Sequence, residues 1–239
     1  MNHNVVEFDH VSKRFSEKLA LDEISFELPA GKVIGVVGTN GAGKTTLLKL
    51  IAGLLRPSEG NVLVKEKKVS RRISSEVAYL PEHGGYYPFY TVNETLEYYS
   101  TIYTDFDKNK SEEMLNFMEL DRNQKVYSLS KGAKIRLKMV VALSRRAPIV
   151  LLDEPLAGLD PMIRESIIKG IVAFVDLSRQ TVIMTTHEVS EIEPALDMVI
   201  AVKGGKIIKI DDVENIREDY GASLVEWMKK KMDADQHFY

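Results

Sequence analysis

The chain has 239 residues, enough for one large domain or two small ones, and its 44% of apolar residues can form a substantial core. Lysine and arginine total 32 against 35 acidic residues, and the resulting net charge of −3 gives no electrostatic case for nucleic-acid binding. The absence of cysteine excludes disulfides, thiolate zinc sites and a cysteine nucleophile.

The first part of the chain predicts β-structure. Residues 1–9 lack the basic and apolar runs of a signal peptide, and no apolar stretch reaches the roughly 18–20 residues that span a bilayer. Apolar and polar residues alternate over residues 5–10 and again over 24–28, as in half-buried strands. A turn at 29–32 then leads into the apolar run 33–37, which predicts a buried strand.

Residues 38–45 fit the phosphate-binding loop pattern G-x-x-x-x-G-K-[ST] without a mismatch. The predicted strand before the loop and a predicted helix over 46–52 give this match its structural context. The glycines let backbone N–H groups point at a polyphosphate, and the helix N-terminus adds a positive dipole end. Lys44 is expected to reach the β and γ phosphates, and the Thr45 hydroxyl to ligate Mg²⁺. The predicted nucleotide-binding residues of this segment are Gly38, Thr39, Asn40, Gly41, Ala42, Gly43, Lys44, Thr45 and Thr46.

Strands and helices alternate through the rest of the chain, which predicts an α/β fold with a mostly parallel sheet. The predicted strands cover residues 61–64, 77–80, 149–152 and 181–185, followed by a hairpin formed by 198–202 and 206–210. The predicted helices cover residues 91–103, 111–120, 134–144 and 164–177, with a weaker helical pattern over 223–232.

The apolar strand 149–152 runs directly into Asp153 and Glu154. A hydrophobic strand that ends in aspartate is the arrangement that holds Mg²⁺ in phosphate-loop NTPases. We therefore expect Asp153 to hold the metal and Glu154 to polarise an attacking water as a general base.

The segment 127–136, just upstream of that strand, distinguishes between NTPase families. It keeps Leu129, Ser130 and Gly132 of the Leu-Ser-Gly-Gly-Gln signature of ATP-binding cassette (ABC) ATPases, with Lys131 and Ala133 in place of the glycine and glutamine. The chain resembles that family over nearly its whole length, and Leu-Ser-Lys-Gly resembles the ABC-2-type exporter branch. The resemblance implies ATP and Mg²⁺ as cofactors and a transport-coupled ATPase activity.

The resemblance also implies roles for four further residues. Phe15 matches the aromatic residue that stacks on adenine, Asp160 matches the D-loop, and His187, which precedes residues 188–191, matches the switch histidine. Glu82 occupies the Q-loop position, where the family usually has glutamine. Its oxygen is expected to serve Mg²⁺ or the attacking water, with an open effect on rate because it adds negative charge near the γ-phosphate.

The implied architecture is a phosphate-loop NTPase core with an N-terminal antiparallel β subdomain and an inserted helical subdomain that carries the signature. We expect a single domain over 1–239: a core over 1–80 and 145–210, a helical subdomain over 83–144 and a short tail over 211–239. The implied partners are a second ABC ATPase, identical or not, and a transmembrane permease, with the chain peripheral on the cytoplasmic side of the membrane. No nucleic-acid partner is expected.

Two segments keep two interpretations each. Tyr86, Tyr87 and Phe89, next to the glycines at 84–85, either contact the permease or cover the helical subdomain's own core. Trp227 and the lysines at 229–231 either contact lipid headgroups or another subunit, or form a solvated helix with one apolar stripe.

Two other functions compete with transport. A soluble ABC protein acting on ribosomes, chromosomes or DNA repair is disfavoured because the chain has one cassette, no heptad run and no basic patch. A non-hydrolysing regulatory cassette is disfavoured by intact Lys44, Asp153, Glu154 and His187, but Glu82 and Lys131 keep it open. Export is favoured by the resemblance and by the short tail. The transported substrate stays open.

Overall fold

A computed structural model describes residues 4–84, 86–187 and 189–232. Residues 1–3, Gly85, Glu188 and residues 233–239, which enter the sequence predictions above, lie outside the described residues. The strands are β1 (Asn4–Phe15), β2 (Lys18–Pro29), β3 (Val33–Val37), β4 (Glu59–Val64), β5 (Lys67–Lys68), β6 (Val77–Leu80), β7 (Ile149–Leu152), β8 (Thr181–Thr186), β9 (Met198–Lys203) and β10 (Lys206–Asp212). The helices are α1 (Lys44–Ile51), α2 (Val92–Ile102), α3 (Lys108–Phe117), α4 (Lys131–Leu143), α5 (Pro161–Phe174), α6 (Val189–Ile192), α7 (Val213–Tyr220) and α8 (Leu224–Met232).

The strands form two sheets, as the predicted α/β fold with an N-terminal antiparallel sheet requires. The first sheet has the order β2-β1-β4-β5 and is antiparallel. The second has the order β10-β9-β3-β8-β7-β6, in which β9, β3, β8, β7 and β6 run parallel and β10 closes the predicted hairpin. Because β3, β7 and β8 are parallel neighbours, their carboxyl ends meet at one edge of the sheet.

The parallel sheet is covered on both faces, which explains why its strands are continuously apolar rather than alternating. Along β3, Ile34 and Val36 pack into a core shared with the antiparallel sheet and α1. Val33 and Val37 pack on the opposite face, in a second core that includes residues of α2 to α5. The molecule therefore has a layer on each side of the parallel sheet, and the loop after β3 and the two acids after β7 lie at the carboxyl edge of that sheet.

Three helices begin earlier than their apolar periodicity predicts, because each has a capping side chain. The α3 helix begins at Lys108 after Asp107, which accepts a hydrogen bond from the Lys110 amide at 3.1 Å. The α4 helix begins at Lys131 rather than at 134, after Ser130. The α5 helix begins at Pro161 rather than at 164, after Asp160.

The C-terminal part is more ordered than its sequence pattern indicates. The α7 helix was not predicted, and the α8 helix confirms the weak pattern over 223–232. Trp227 is only 2% exposed and packs into the core, so a lipid contact by this residue is wrong. The buried Glu193 carboxylate accepts hydrogen bonds from Arg217 and from the Leu224 amide, which joins both helices to the segment after β8. The helices in the described part of the chain are all too short or too polar to cross a bilayer.

Candidate functional site

The loop between β3 and α1 packs closely against the backbone of neighbouring segments. Gly41 and Gly43 have φ of 79° and 112°, the left-handed region in which a side chain would be strained. A Cβ at Gly43 would also lie 2.7 Å from the Ala20 carbonyl oxygen, and one at Gly38 would lie 2.3 Å from that of Val202. Glycine is therefore required for both backbone conformation and space in this loop.

The Lys44 side chain folds back into the loop. It is 6% exposed, and its ammonium donates to the carbonyl oxygens of Gly38 at 2.9 Å and Thr39 at 3.2 Å. Its Nζ also lies 3.3 Å from Glu154 Oε1. The cation of the loop and the acid after β7 are thus in direct contact.

Asp153 is 1% exposed and accepts three hydroxyl hydrogen bonds. Its Oδ1 accepts from Thr45 Oγ1 and from Thr185 Oγ1, both at 2.9 Å. Its Oδ2 accepts from the Tyr79 hydroxyl at 3.0 Å, and burial together with the nearby carboxylate raises the pKa of Tyr79. Tyr79 and Thr185 were not predicted from the sequence. They lie on β6 and β8, which the structure places on either side of β7, and no local motif marks them.

The residues around Asp153 suit Mg²⁺. The Thr45 hydroxyl and the Asp153 carboxylate are adjacent oxygen donors, the type that Mg²⁺ prefers. Glu82 and Thr45 line one pocket. Among the described residues no three His, Asp or Glu side chains form a metal cage. Mg²⁺ is commonly held by one or two protein oxygens together with substrate phosphates and water.

Glu154 lies between two other polar side chains. Its Oε2 is 2.8 Å from His187 Nδ1, while its Oε1 faces Lys44. Its backbone has φ of 48°, an uncommon value for a residue with a side chain, and its amide donates to Thr185 Oγ1 at 2.8 Å. Backbone strain of this kind is frequent at active sites.

Most of the predicted site residues line one pocket with a volume of about 540 Å³. Phe15, whose side chain is exposed, lines this pocket, and Glu82, Glu154 and His187 line it together with the phosphate loop. Lys18, Ala20 and Ala157 also line the pocket and were not predicted. The lining residues are Phe15, Lys18, Ala20, Asn40, Gly41, Gly43, Lys44, Thr45, Thr46, Glu82, Glu154, Ala157 and His187.

Seven predicted residues are outside this lining. Gly38, Thr39 and Ala42 belong to the phosphate loop itself, and Asp153 contacts Thr45, which does line the pocket. The other three, Ser130, Gly132 and Asp160, lie in the signature and the D-loop. Ser130 Oγ accepts from the Ala133 amide at the start of α4, and Asp160 Oδ1 accepts from the Ile163 amide at the start of α5. Gly132 faces Ile163, which lies 2.2 Å from the place that a Cβ at Gly132 would take. The signature and the D-loop are therefore joined to each other, and they form no part of the pocket wall of the same chain.

Comparison with known proteins identifies the family. A family model described as ABC transporter matches residues 21–157. The chain belongs to the ABC transporter family. It is the ATP-binding subunit of a transporter, and members of this family are ATPases coupled to transport. ABC ATPase domains act in pairs and together with transmembrane permeases.

Individual relatives match nearly the whole ABC cassette. An ABC transporter ATP-binding protein of Methanocaldococcus jannaschii is 30% identical over 88% of this chain and 79% of its own length. A probable sulfate/thiosulfate import ATP-binding protein of Chlorella vulgaris is 28% identical over 88% and 92%. A solved ATP-binding subunit of an ABC transporter superimposes with a TM-score of 0.81 at 24% identity, over 93% of this chain and 97% of that one. The last match confirms the predicted ABC ATPase fold.

Proposed function

We propose that this chain hydrolyses ATP in sites that are completed by a second ATPase chain, and that the resulting motion powers export through a separate permease. The observation that carries the proposal is the division of the predicted residues into two groups. The phosphate loop, Glu154 and His187 line one pocket, whereas the signature residue Ser130 is not part of that pocket. A second chain that presents its signature to this pocket would complete the site.

In the proposed site the nucleotide lies along the phosphate loop. Lys44 and the loop amides bind the β and γ phosphates, and the exposed Phe15 ring stacks on adenine. Thr45, Asp153 and Glu82 are the residues that would hold Mg²⁺, whose charge offsets that of the phosphates. Phosphoryl transfer depends mainly on positioning and charge stabilisation, which this set of residues supplies.

The contact between Lys44 and Glu154 supports a role for ATP in activating the general base. Lys44 Nζ lies 3.3 Å from Glu154 Oε1. A γ-phosphate would draw the ammonium away and leave that carboxylate oxygen free to accept a proton from water. His187 holds the other oxygen at 2.8 Å and so limits the rotation of the carboxylate.

The second chain contributes its signature and its D-loop. Ser130 stands at the N-terminus of α4, where free amides and the helix dipole favour an anion such as the γ-phosphate. Asp160 stands at the N-terminus of α5, on the adjoining surface. ATP binding would close the pair, and hydrolysis with phosphate loss would open it. The partner is either a second copy of this chain or a related ATPase.

The aromatic segment after the Q-loop supports contact with a permease at the cytoplasmic face of the membrane. Tyr87 and Phe89 are 43% and 64% exposed, and their rings lie 5.7 Å apart. Tyr86 instead packs against the core, with Lys138 Nζ 5.6 Å from its ring centre. The exposed Tyr87 and Phe89 therefore support a contact with the permease, whereas Tyr86 fits the interpretation in which the segment covers the core. The resemblance to the ABC-2-type branch supports export. The division into core, helical subdomain and tail stays part of this proposal.

The test is the oligomeric state of Glu154→Gln with ATP and Mg²⁺, measured by light scattering after size-exclusion chromatography. Glutamine keeps the size of the side chain but cannot act as a base, so we expect a stable ATP-bound dimer in which ADP does not replace ATP. The control is Lys44→Ala combined with Glu154→Gln, which should stay monomeric because the phosphates lose their cation. A Glu154→Gln chain that binds ATP and stays monomeric would contradict assembly by this chain alone.

A further inference from the structure

Tyr79 connects two strands at the edge where the metal would bind. It lies on β6, opposite Leu151 of β7 in a parallel register, and its hydroxyl donates to Asp153 Oδ2 at 3.0 Å. The motifs that identified the site assign no role to this residue. It lies three positions before Glu82, which lines the nucleotide pocket.

The three hydrogen bonds to Asp153 fix the orientation of its carboxylate. Thr45 and Thr185 both donate to Oδ1, and among the described residues only Tyr79 donates to Oδ2. Asp153 is 1% exposed, so bulk water cannot replace a missing donor without a rearrangement. A carboxylate held on both oxygens cannot rotate about its terminal bond.

We infer that Tyr79 is a positioning residue of the metal site. Its hydroxyl holds Oδ2 and thereby keeps Oδ1 directed at the Thr45 hydroxyl, the pair of oxygens that would approach the cation. This inference rests on the proposed function, since it takes Thr45 and Asp153 as the residues that hold Mg²⁺. Partners of this kind orient metal-binding carboxylates in many proteins, and their removal weakens metal binding about 10- to 100-fold.

The position of Tyr79 also ties the metal site to the Q-loop. β6 continues directly into Pro81 and Glu82, so the hydrogen bond joins the strand that carries Glu82 to the carboxylate at the end of β7. Any displacement of this strand relative to β7 changes the distance between Tyr79 Oη and Asp153 Oδ2. The hydroxyl therefore makes the orientation of Asp153 depend on the position of the Q-loop strand.

The structure offers a variant that removes this contact alone. The Tyr79 ring borders a cleft of about 390 Å³ between β6, α2 and α4. Tyr79→Phe keeps the ring and its packing in place, so the variant loses one hydroxyl and one hydrogen bond. Tyr103→Phe is the matched control, because Tyr103 lines the same cleft with its ring under the Arg145 guanidinium. That guanidinium donates to the Val77 carbonyl at the start of β6, whereas Asp153 follows the end of β7.

The experiment measures Mn²⁺ and the non-hydrolysable nucleotide AMP-PNP on the complete chain. Bound Mn²⁺ is counted by electron paramagnetic resonance at saturating AMP-PNP, and AMP-PNP binding is measured separately in EDTA by calorimetry. For Tyr79→Phe we expect Mn²⁺ affinity to fall about tenfold or more, with metal-free AMP-PNP affinity close to that of the parent chain. The unfolding temperature should fall by only a few degrees, the cost of one buried acceptor that has lost its donor. Tyr103→Phe should match the parent in each measurement.

The outcomes separate this inference from the proposed function. Equal Mn²⁺ affinity in Tyr79→Phe and the parent chain would overturn the positioning role while leaving the metal site intact. An equal loss of nucleotide affinity with and without Mn²⁺ would also overturn it, since the effect would then be structural. If Mn²⁺ does not bind to the AMP-PNP complex of the parent chain, the metal-holding role of Thr45 and Asp153 fails, and this inference fails with it.

Discussion

Glu154 is the residue at which the geometry of the site is most restricted. Lys44 and His187 lie on its two carboxylate oxygens, and its backbone adopts a left-handed conformation with φ of 48°. Each constraint limits where the side chain can point. In the proposed mechanism the constraint from Lys44 is released by ATP, whereas the constraint from His187 stays in place during hydrolysis.

This difference predicts that His187→Ala separates hydrolysis from binding. Without the imidazole, Glu154 loses the partner on Oε2 and its carboxylate can rotate away from the attacking water. We expect kcat for ATP to fall about 100-fold, within the usual range for disturbing general-base catalysis. Nucleotide affinity, followed with a fluorescent ATP analogue, should stay within a few-fold of the parent chain because the phosphate loop is unaltered.

A histidine remote from the site provides the control for this variant. His10 is exposed on β1 and has φ of 48°, so His10→Asn is suitable because asparagine tolerates the left-handed region. Its kcat should equal that of the parent chain. A His187→Ala enzyme that keeps most of its kcat would show that the contact with Glu154 contributes little to hydrolysis.

The sequence identifies the residues of the pocket whose roles depend on local motifs. Gly43, Lys44 and Thr45 follow a fixed pattern along the chain, and in the structure they line one pocket together with Glu154. Tyr79 and Thr185 were missed because their contact with Asp153 depends on strand order, and a single sequence does not reveal which strands are neighbours. The roles of all the predicted site residues stay predictions, since they concern a nucleotide, a metal ion and a second chain.

Among the secondary-structure elements, the first residues of the helices could not be predicted from apolar periodicity alone. Apolar periodicity identifies the buried face of a helix, but the first turn is set by a cap. The side-chain oxygens of Ser130, Asp107 and Asp160 each accept a hydrogen bond from a backbone amide. Each of these caps starts a helix about one turn before its apolar pattern begins. The aspartate-proline pair at 160–161 is a sequence pattern that predicts the start of α5, because proline is favoured at the first position of a helix.

The start of α4 has a second feature, a bond to the loop before α5. Lys131 Nζ donates to the Gly158 carbonyl oxygen at 3.1 Å, so the residue that departs from the usual signature tethers the D-loop of its own chain. Gly158 has φ of 63°, and a Cβ there would lie 2.4 Å from Lys131 Nζ. The lysine thus takes up the space beside the glycine.

We expect Lys131→Met to loosen the D-loop without altering the phosphate loop. Methionine keeps most of the side-chain length but cannot donate to Gly158. A lost exposed hydrogen bond is worth about 0.5–1.5 kcal/mol, so amides of residues 156–160 should exchange with solvent roughly 2- to 10-fold faster. Hydrogen–deuterium exchange mass spectrometry measures this, and the peptide over 38–52 should be unchanged. Lys134→Met, one turn along α4, is the control. Unchanged exchange at 156–160 would show that the tether does not restrain the loop.

For the whole molecule, the sequence predicts the layers but not their order. The alternation of strands and helices predicts a mostly parallel sheet, and the family resemblance implies an N-terminal antiparallel sheet; both are confirmed. The placement of β3 between β8 and β9 could not be predicted, because long connections leave many strand orders possible. α7 was missed because its short, charged sequence has only two buried residues, Val213 and Ile216.

The C-terminal helix α8 packs into the main core. Leu224 is fully buried and Trp227 nearly so, and both belong to the core that covers one face of the parallel sheet. Glu193 accepts from the Leu224 amide at 3.2 Å and from Arg217 Nη2 at 2.8 Å. Because Glu193 follows the segment that carries His187, the end of the described chain stabilises the region behind the nucleotide pocket.

This packing predicts that α8 unfolds together with the rest of the molecule. Trp227 is the single tryptophan, so its fluorescence reports on α8 while far-UV circular dichroism reports on the whole chain. In urea the two transitions should coincide, and Leu224→Ala should lower the free energy of unfolding by about 2–5 kcal/mol in both signals because it leaves a cavity in the core. Lys230→Ala, on the exposed side of α8, should change it by less than about 0.5 kcal/mol. A fluorescence transition at lower urea than the dichroism transition would mean that α8 separates first, and Leu224→Ala would then shift the fluorescence transition alone.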